Sequence, residues 1–148
     1  MERINLGFNS VINIDKLMTT SVVTVEMDDT LSEIKHIFDN ASFHHLLVVE
    51  EGKLFGIISD RDLLKALSPH IGTAAERNND LATLNKKAHQ ILTRKPHTLS
   101  PDASIYEAID NFNDLKISCI PVVDEQRRPV GILSWRDVIK AIGNNRKK

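Results

Sequence analysis

Hydrophobic and polar positions along the chain follow one rhythm twice. Val22-Val23-Thr24-Val25 is a β-branched run, matched after Pro96 by His97-Thr98-Leu99, and such runs read as strands. Thr30-x-x-Glu33 and Ser104-x-x-Glu107 follow. Each predicts a capping box, in which the hydroxyl takes an orphan amide of the first turn while the glutamate reaches back. Leu31, Ile34, Ile37 and Phe38 then recur at helical spacing, as do Ile105, Ala108, Ile109 and Phe112, which predicts helices with one apolar face. Leu46-Leu47-Val48-Val49 and Ile120-Pro121-Val122-Val123 are short apolar runs that predict buried strands. After a turn (Glu51-Gly52-Lys53; Gln126 to Pro129) comes a second apolar strand, Leu54 to Ile58 or Val130 to Leu133. A helix closes each copy, over about 60–67 and 135–142. The order strand, helix, strand, strand, helix makes each copy an α/β unit.

The two copies also agree residue by residue. A shift of 74 lays Thr19 on Thr93, Asp28 on Asp102, Glu33 on Glu107, Phe38 on Phe112 and Val48-Val49 on Val122-Val123. One extra residue in the EQRRP stretch makes the shift 75, and then Gly56, Ser59, Arg61, Asp62 and Lys65 meet Gly131, Ser134, Arg136, Asp137 and Lys140. Unrelated segments agree at only about one position in fifteen or twenty, given average residue usage. The sequence therefore predicts a repeat over 11–68, a polar linker over 69–84 and a second repeat over 85–143. One copy of about 55 residues buries too little surface to stand alone, so the expectation is two β-α-β-β-α repeats packed as one pseudo-twofold α/β module. In the linker, Ala74-Ala75 and Leu81, Leu84 are placed to form a helical turn. The tail from Gly143 reads as a frayed terminus.

Composition narrows the function classes. At 41% hydrophobic and 26% charged, the 148 residues can build a core, and a charge of 19 − 20 = −1 offers no overall basic field for nucleic acid. The lone Cys119 excludes a disulfide framework within one chain. No apolar run approaches the roughly 20 residues that span a bilayer. The opening MERINLGFNSVINID has no apolar signal core. The expectation is a soluble cytoplasmic chain with neither nucleic acid nor membrane as partner.

The candidate chemistry is a doubled Gly-h-x-Ser-x-x-Asp: Gly56-Ile57-Ile58-Ser59-Asp60-Arg61-Asp62 and Gly131-Ile132-Leu133-Ser134-Trp135-Arg136-Asp137. Each serine ends a strand and begins a helix, with the aspartate one turn on. Free amides at a helix start favour an anion, and a carboxylate there can accept hydrogen bonds from a diol. Arg61, Arg136 and the pair His44-His45 add positive charge for phosphates. Neither a Walker-type loop nor Gly-x-Gly-x-x-Gly occurs. A plainer reading is also open: Ser-x-x-Asp can be a capping box with aspartate in place of glutamate. Neighbours on a strand point to opposite faces, so only one of His44 and His45 can face a given cleft. A solvated or hydrogen-bonded histidine is the plain reading, a phosphate contact comes next, and a metal site ranks last because no acid cluster accompanies the pair. Cys119 reads as a small buried hydrophobe and Trp135 as a packing residue.

Two such copies, each with an apolar strand pair before Gly-h-x-Ser-x-x-Asp, resemble a tandem CBS-domain (Bateman) module. Ser118-Cys119-Ile120-Pro121-Val122-Val123-Asp124 is similar to that family's second strand. More narrowly, Phe43-His44-His45-Leu46-Leu47-Val48-Val49 and the linker Asp80-Leu81-Ala82-Thr83-Leu84-Asn85 are similar to small bacterial stand-alone proteins of the acetoin-utilisation AcuB type. The resemblance covers nearly the whole chain and leaves no room in it for an attached enzyme, channel or DNA-binding domain.

The resemblance implies a non-catalytic regulatory sensor of adenine nucleotides that needs no cofactor. Its ligand would be AMP, ADP, ATP or S-adenosylmethionine, held in clefts between the copies, with the aspartate on the ribose and the serine on ribose or phosphate. Carried over by position, one pocket would use Ser59, Arg61, Asp62 and His45 with Pro96, His97, Ser118 and Cys119. The other would use Ser134, Arg136 and Asp137 with Val22, Val23, His44 and His45. Leu47 stands where the second copy has Pro121, so the two sites are not expected to match. The resemblance also implies a homodimer, built through helices around 31–41, 60–67, 105–114 and 135–142, and a regulated partner that the residues do not identify. Two other functions remain open: a scaffold with empty clefts, and a small nucleotide-processing enzyme. The enzyme would need an acid cluster or an activated nucleophile, and the sequence offers neither.

Overall fold

The structure is a computed structural model and describes residues 12–146. The opening segment through Val11, and Lys147 and Lys148 of the basic tail, lie outside the described residues. Among the described residues the chain divides into two units, one of Val23–Pro96, the other of residues 12–22 together with 97–146.

In the first unit β1 (Thr24–Glu26) lies parallel to β2 (His45–Glu50), and β2 pairs antiparallel with β3 (Lys53–Ser59). β3 pairs in turn with β4 (Thr93–Arg94). Helix α1 (Leu31–Asp39) lies between β1 and β2 in the chain, and α2 (Asp60–Ala66) follows β3. The spacing of Leu31, Ile34, Ile37 and Phe38 puts them on one face of α1, and that face packs with Val25, Leu46, Val48, Ile58 and Leu63. Residues that open the second repeat join in: Ala88 is fully buried in this core, with Ile91 and Leu92 against it.

The second unit repeats the plan with thinner edges. β5 (Cys119–Val123) and β6 (Pro129–Ser134) pair antiparallel. Single bridges, Leu99 parallel to Val122 and Thr19 antiparallel to Ile132, stand where the first unit has β1 and β4. Helix α4 (Ile105–Leu115) presents Ile105 and Ala108 to Ile120, Val122 and Leu133, and α5 (Trp135–Arg146) adds Val138 and Ile142. Ile14 is fully buried in this core, with Leu17 and Met18 packed against it.

The segments leading into the two repeats are thus exchanged. The Leu31 amide donates to Lys86 O at 2.9 Å and the Ala88 amide to Asp29 O at 2.8 Å. Likewise the Ile105 amide donates to Ile12 O and the Ile14 amide to Ala103 O, both at 2.8 Å. Each repeat is completed by the opening residues of the other. The two motif glycines mark where these segments cross. A Cβ on Gly56 would lie 2.7 Å from Thr93 O, and one on Gly131 would lie 2.5 Å from Met18 Sδ. Glycine is required there for close approach, without any positive φ.

Several expectations change in detail. Thr30 Oγ1 and Ser104 Oγ accept from the Glu33 and Glu107 amides at 3.2 and 3.1 Å, but neither glutamate completes the box. The exchanged segments run past these helix starts, with Lys87 opposite Thr30 and Asn13 opposite Ser104, and bond the Leu31 and Ile105 amides one residue on. The strand expected at Val22–Val25 begins at Thr24, and the one at His97–Leu99 shrinks to the bridge at Leu99. Gly143 to Arg146, expected to fray, continue α5, whose Ile142 is held against the core. In the linker, Leu81 lies in α3 (Asn78–Ala82) and Leu84 in the 3₁₀ turn Thr83–Asn85, whereas Ala74 and Ala75 lie outside any helix. The change of shift from 74 to 75 has a local cause. Glu51 and Gly52, both at positive φ, form a two-residue hairpin turn, whereas the second hairpin spans Asp124–Arg128 with Arg127 at φ 61°. Both hairpins then bulge at the same place, between Val48 and Val49 and between Val122 and Val123.

Candidate functional site

The fourteen candidate residues fall into two equivalent sets of seven, one in each unit. Val23, His44, His45, Ser59, Arg61, Asp62 and Pro96 lie in the first, and His97, Ser118, Cys119, Ser134, Arg136, Asp137 and Val22 in the second.

Antiparallel register places His45 opposite Ser59 and Cys119 opposite Ser134. The serine stops the strand and caps the helix, so strand end, helix start and the preceding hairpin strand meet at one edge of the sheet. Here the box expected of glutamate is made by aspartate. Asp62 donates its amide to Ser59 Oγ at 3.0 Å while its Oδ2 accepts from the Ser59 amide at 2.9 Å. Asp137 and Ser134 repeat this at 3.2 and 2.9 Å. The first helical amides are spent as well: Asp60 N donates to His44 O at 2.9 Å and Trp135 N to Ser118 O at 3.2 Å.

The plain capping reading therefore holds, yet it leaves chemistry to spare. Oδ1 of Asp62 and of Asp137 carries no hydrogen bond among the described residues, and the serine hydroxyls, which accept in the box, keep a proton to donate. An unspent carboxylate oxygen next to a hydroxyl suits a vicinal diol. Arg61 and Arg136 stand exposed in the first helical turn, where the helix dipole also favours an anion. Within its own unit the seventh residue is placed differently. The chain past β4 heads to the hairpin half of β3, with Lys95 N donating to Phe55 O at 3.4 Å, so Pro96 departs from the end opposite Ser59. Val22 follows Thr19 past Ile132 in the same sense. Val23 is at the serine end, its carbonyl accepting from Leu47 N at 3.3 Å, and His97, two residues before Leu99, holds the matching register.

The two ends differ in their surroundings. His44 Nδ1 lies 2.8 Å from Asp60 Oδ2, an exposed pair. Burial holds the His45 imidazole below its ordinary pKa, against the opposing charge of Asp60. In the second unit Cys119 takes the place of His45, and burial, with the charge of Asp137, pushes its thiol up to about 12. Cys119 is partly rather than fully buried at the strand end, and its raised pKa keeps it a neutral thiol. Trp135 takes the place of Asp60 and is 44% exposed under the Arg136 guanidinium, 5.8 Å from its ring centre, rather than packed away. Asp60 was missed by the sequence reading; its only signal was its place beside a histidine-bearing strand end. Among the described residues no cluster of three metal-ligating side chains occurs, and no helix is long and apolar enough to cross a membrane.

The CBS domain family matches this chain over residues 14–69 and 88–144, a span for each repeat. The chain belongs to the CBS domain family. It is 30% identical over 141 residues to homoserine O-acetyltransferase of Methanosalsum zhilinae, a match that covers 95% of this chain but 26% of that protein. It spans less than half the length of the first curated relatives it matches. Among solved structures, the CBS domain pair of protein MJ0100 in complex with 5′-methylthioadenosine and S-adenosyl-L-methionine is 28% identical, with a TM-score of 0.74 over 94% of this chain and 100% of that one. A Vibrio cholerae protein assigned to the acetoin utilization (AcuB) type shares the fold, with a TM-score of 0.75 at 24% identity over 93% of this chain and 95% of that one.

Proposed function

We propose that this CBS pair is a non-catalytic regulatory module that binds an adenosine-containing ligand at its Ser-x-x-Asp helix starts. The observation that carries the reading is the identical geometry of two serine–aspartate boxes, each with one carboxylate oxygen and one hydroxyl proton left over. In this reading the free Oδ1 of Asp62 or Asp137 accepts from the ribose hydroxyls, and Ser59 or Ser134 donates to ribose or phosphate. Arg61 or Arg136 meets the phosphates of AMP, ADP or ATP, or with S-adenosylmethionine lies idle. Strand ends carrying His45 and Cys119 border the base, with Val22, Val23, His44, Pro96, His97 and Ser118 completing the set carried over from the family. The relative crystallised with two adenosine compounds supports the choice of ligand class. Regulation follows when the ligand favours one conformation over another.

Calorimetric titration with AMP, ADP, ATP and S-adenosylmethionine tests this reading. Binding of at least one, weakened in Asp62→Asn or Asp137→Asn while the fold persists, is the expected result. Affinity no better than millimolar for all four, equivalent to about −4 kcal/mol, returns the protein to the scaffold reading. Nucleotide turnover removes the non-catalytic one.

The same reading includes a homodimer. Leu64 on α2 and Ile139 on α5 occupy equivalent positions and are 71% and 57% exposed, an apolar pair suited to a second copy of the chain. Sedimentation of the wild type against Leu64→Asp/Ile139→Asp decides it.

A further inference from the structure

The two serine–aspartate ends share a backbone plan and differ by one carboxylate. In the first unit Asp60 opens α2 between the Ser59 cap and Arg61, so Asp60 and Asp62 stand together with one guanidinium. In the second unit Trp135 opens α5, and Asp137 stands alone with Arg136. The Asp60 carboxylate is held in place. Its Oδ2 lies 2.8 Å from His44 Nδ1, while the Asp60 amide donates to His44 O at 2.9 Å. A neutral imidazole donates Nδ1–H there without cancelling the charge, and its Nε2 is then an acceptor. With Asp62 Oδ1 also unspent, this end adds acceptors where a phosphate needs donors.

The extra charge reaches the strand end. Burial lowers the His45 pKa, and Asp60 opposes it ahead of Asp62. At the matching Cys119, burial raises the thiol and Asp137 is the one carboxylate that adds to it. The second end also holds what the first lacks. The Trp135 ring is 44% exposed, with the Arg136 guanidinium 5.8 Å from its centre. A guanidinium over an aromatic face stays charged and keeps its planar fork for a phosphate.

We infer that the two ends divide adenosine ligands by charge: the Trp135 end takes those bearing phosphates, and the Asp60 end takes those without, a sulfonium included. The inference deepens the reading of the two boxes as adenosine sites and rests on it. The anion goes to the start of the twelve-residue α5 and not to the seven-residue α2. At α2 a polyphosphate meets a second carboxylate within one helical turn, a repulsion that desolvation strengthens. A sulfonium meets attraction in the same place. Asp60 and Trp135 are thus the specificity-determining residues, one for each end.

The test is calorimetric titration of the full chain with ATP and with S-adenosylmethionine, without divalent cations, at pH 8, above the range in which histidine takes on charge. Fluorescence of Trp135, the single tryptophan of the chain, reports the second end. One ATP should bind per chain and change that fluorescence. Asp60→Asn should bring a second ATP per chain and weaken S-adenosylmethionine about tenfold or more. Trp135→Asp should bind ATP about tenfold or more weakly than Trp135→Asn, a pair that differs in charge alone. The division is overturned, with the adenosine reading intact, by a wild type that binds only one of the two ligands, by two equal ATP sites, or by either charge change leaving ATP binding alone. If neither ligand binds, or if Asp62→Asn and Asp137→Asn both bind like the wild type, the adenosine reading fails and takes the division with it.

Discussion

Substituting alanine at the two motif glycines should produce unequal damage, because different kinds of atom crowd them. At Gly56 the added Cβ meets Thr93 O at 2.7 Å and Leu92 Cδ1 at 2.8 Å. The carbonyl belongs to β4, which is paired to β3 at Gly56 and Ile57, so relief requires the strand to retreat by about 0.7 Å, an overpacking that typically costs about 1–3 kcal/mol. At Gly131 the near atoms are Met18 Sδ, Cγ and Cε at 2.5, 2.9 and 3.1 Å. A methionine has three rotatable bonds with which to withdraw, and an off-rotamer side chain costs about 0.5–1.5 kcal/mol. Neither glycine has a positive φ, so backbone strain does not confuse the comparison. Urea unfolding followed by far-ultraviolet circular dichroism should therefore rank Gly56→Ala as the more destabilised. In a double-mutant cycle Met18→Ala should partly rescue Gly131→Ala, with a coupling of about 0.5–1 kcal/mol. A Gly131→Ala cost equal to or above that of Gly56→Ala, or strict additivity with Met18→Ala, would refute the claim that exchanged segments dictate these glycines.

Further outcomes follow from the same geometry. Ile14→Ala should cost about 2–5 kcal/mol, since Ile14 is fully buried against Leu99, Ile105 and Val138; a near-neutral urea midpoint would mean the leading segment does not dock there. The folded state keeps His45 below its ordinary pKa, so its contribution is present above about pH 6.5 and is lost as pH falls through that value, where the unfolded chain takes up the proton first. A pH series should show less acid sensitivity in His45→Gln than in wild type over about pH 5–7. With Cys119 raised to about 12, the sign reverses: stability holds below about pH 9 and declines above it as the unfolded thiol ionises. Native protein at pH 8 should react with a thiol reagent more slowly than protein in denaturant, because the folded thiol stays protonated, and equal labelling rates would contradict the raised pKa.

The candidate site was partly legible. Ser59, Asp62, Ser134 and Asp137 stood out because a repeat displayed the same spacing twice, and the register puts His45 and Cys119 opposite the two serines. The sequence could not say whether each aspartate was cap or ligand. Distances show it to be a cap through Oδ2 and leave Oδ1 unspent. Asp60 went unread and Trp135 was read as packing, because their roles depend on His44 and Arg136 as neighbours in space.

What the residues determined alone was local. Period and β-branching set the order of elements, apolar spacing chose the buried faces of α1 and α4, and self-similarity set the repeat, since all are written within a turn or a strand's length. Tertiary structure decided what joins distant segments: Ile14 buried beside residues some ninety positions on, and Lys86 O taking the Leu31 amide at the helix start. It also carried α5 through Gly143 by packing Ile142. A hydrogen bond or a buried side chain between remote segments depends on which surfaces the folded chain brings together, and short-range spacing carries no record of that choice.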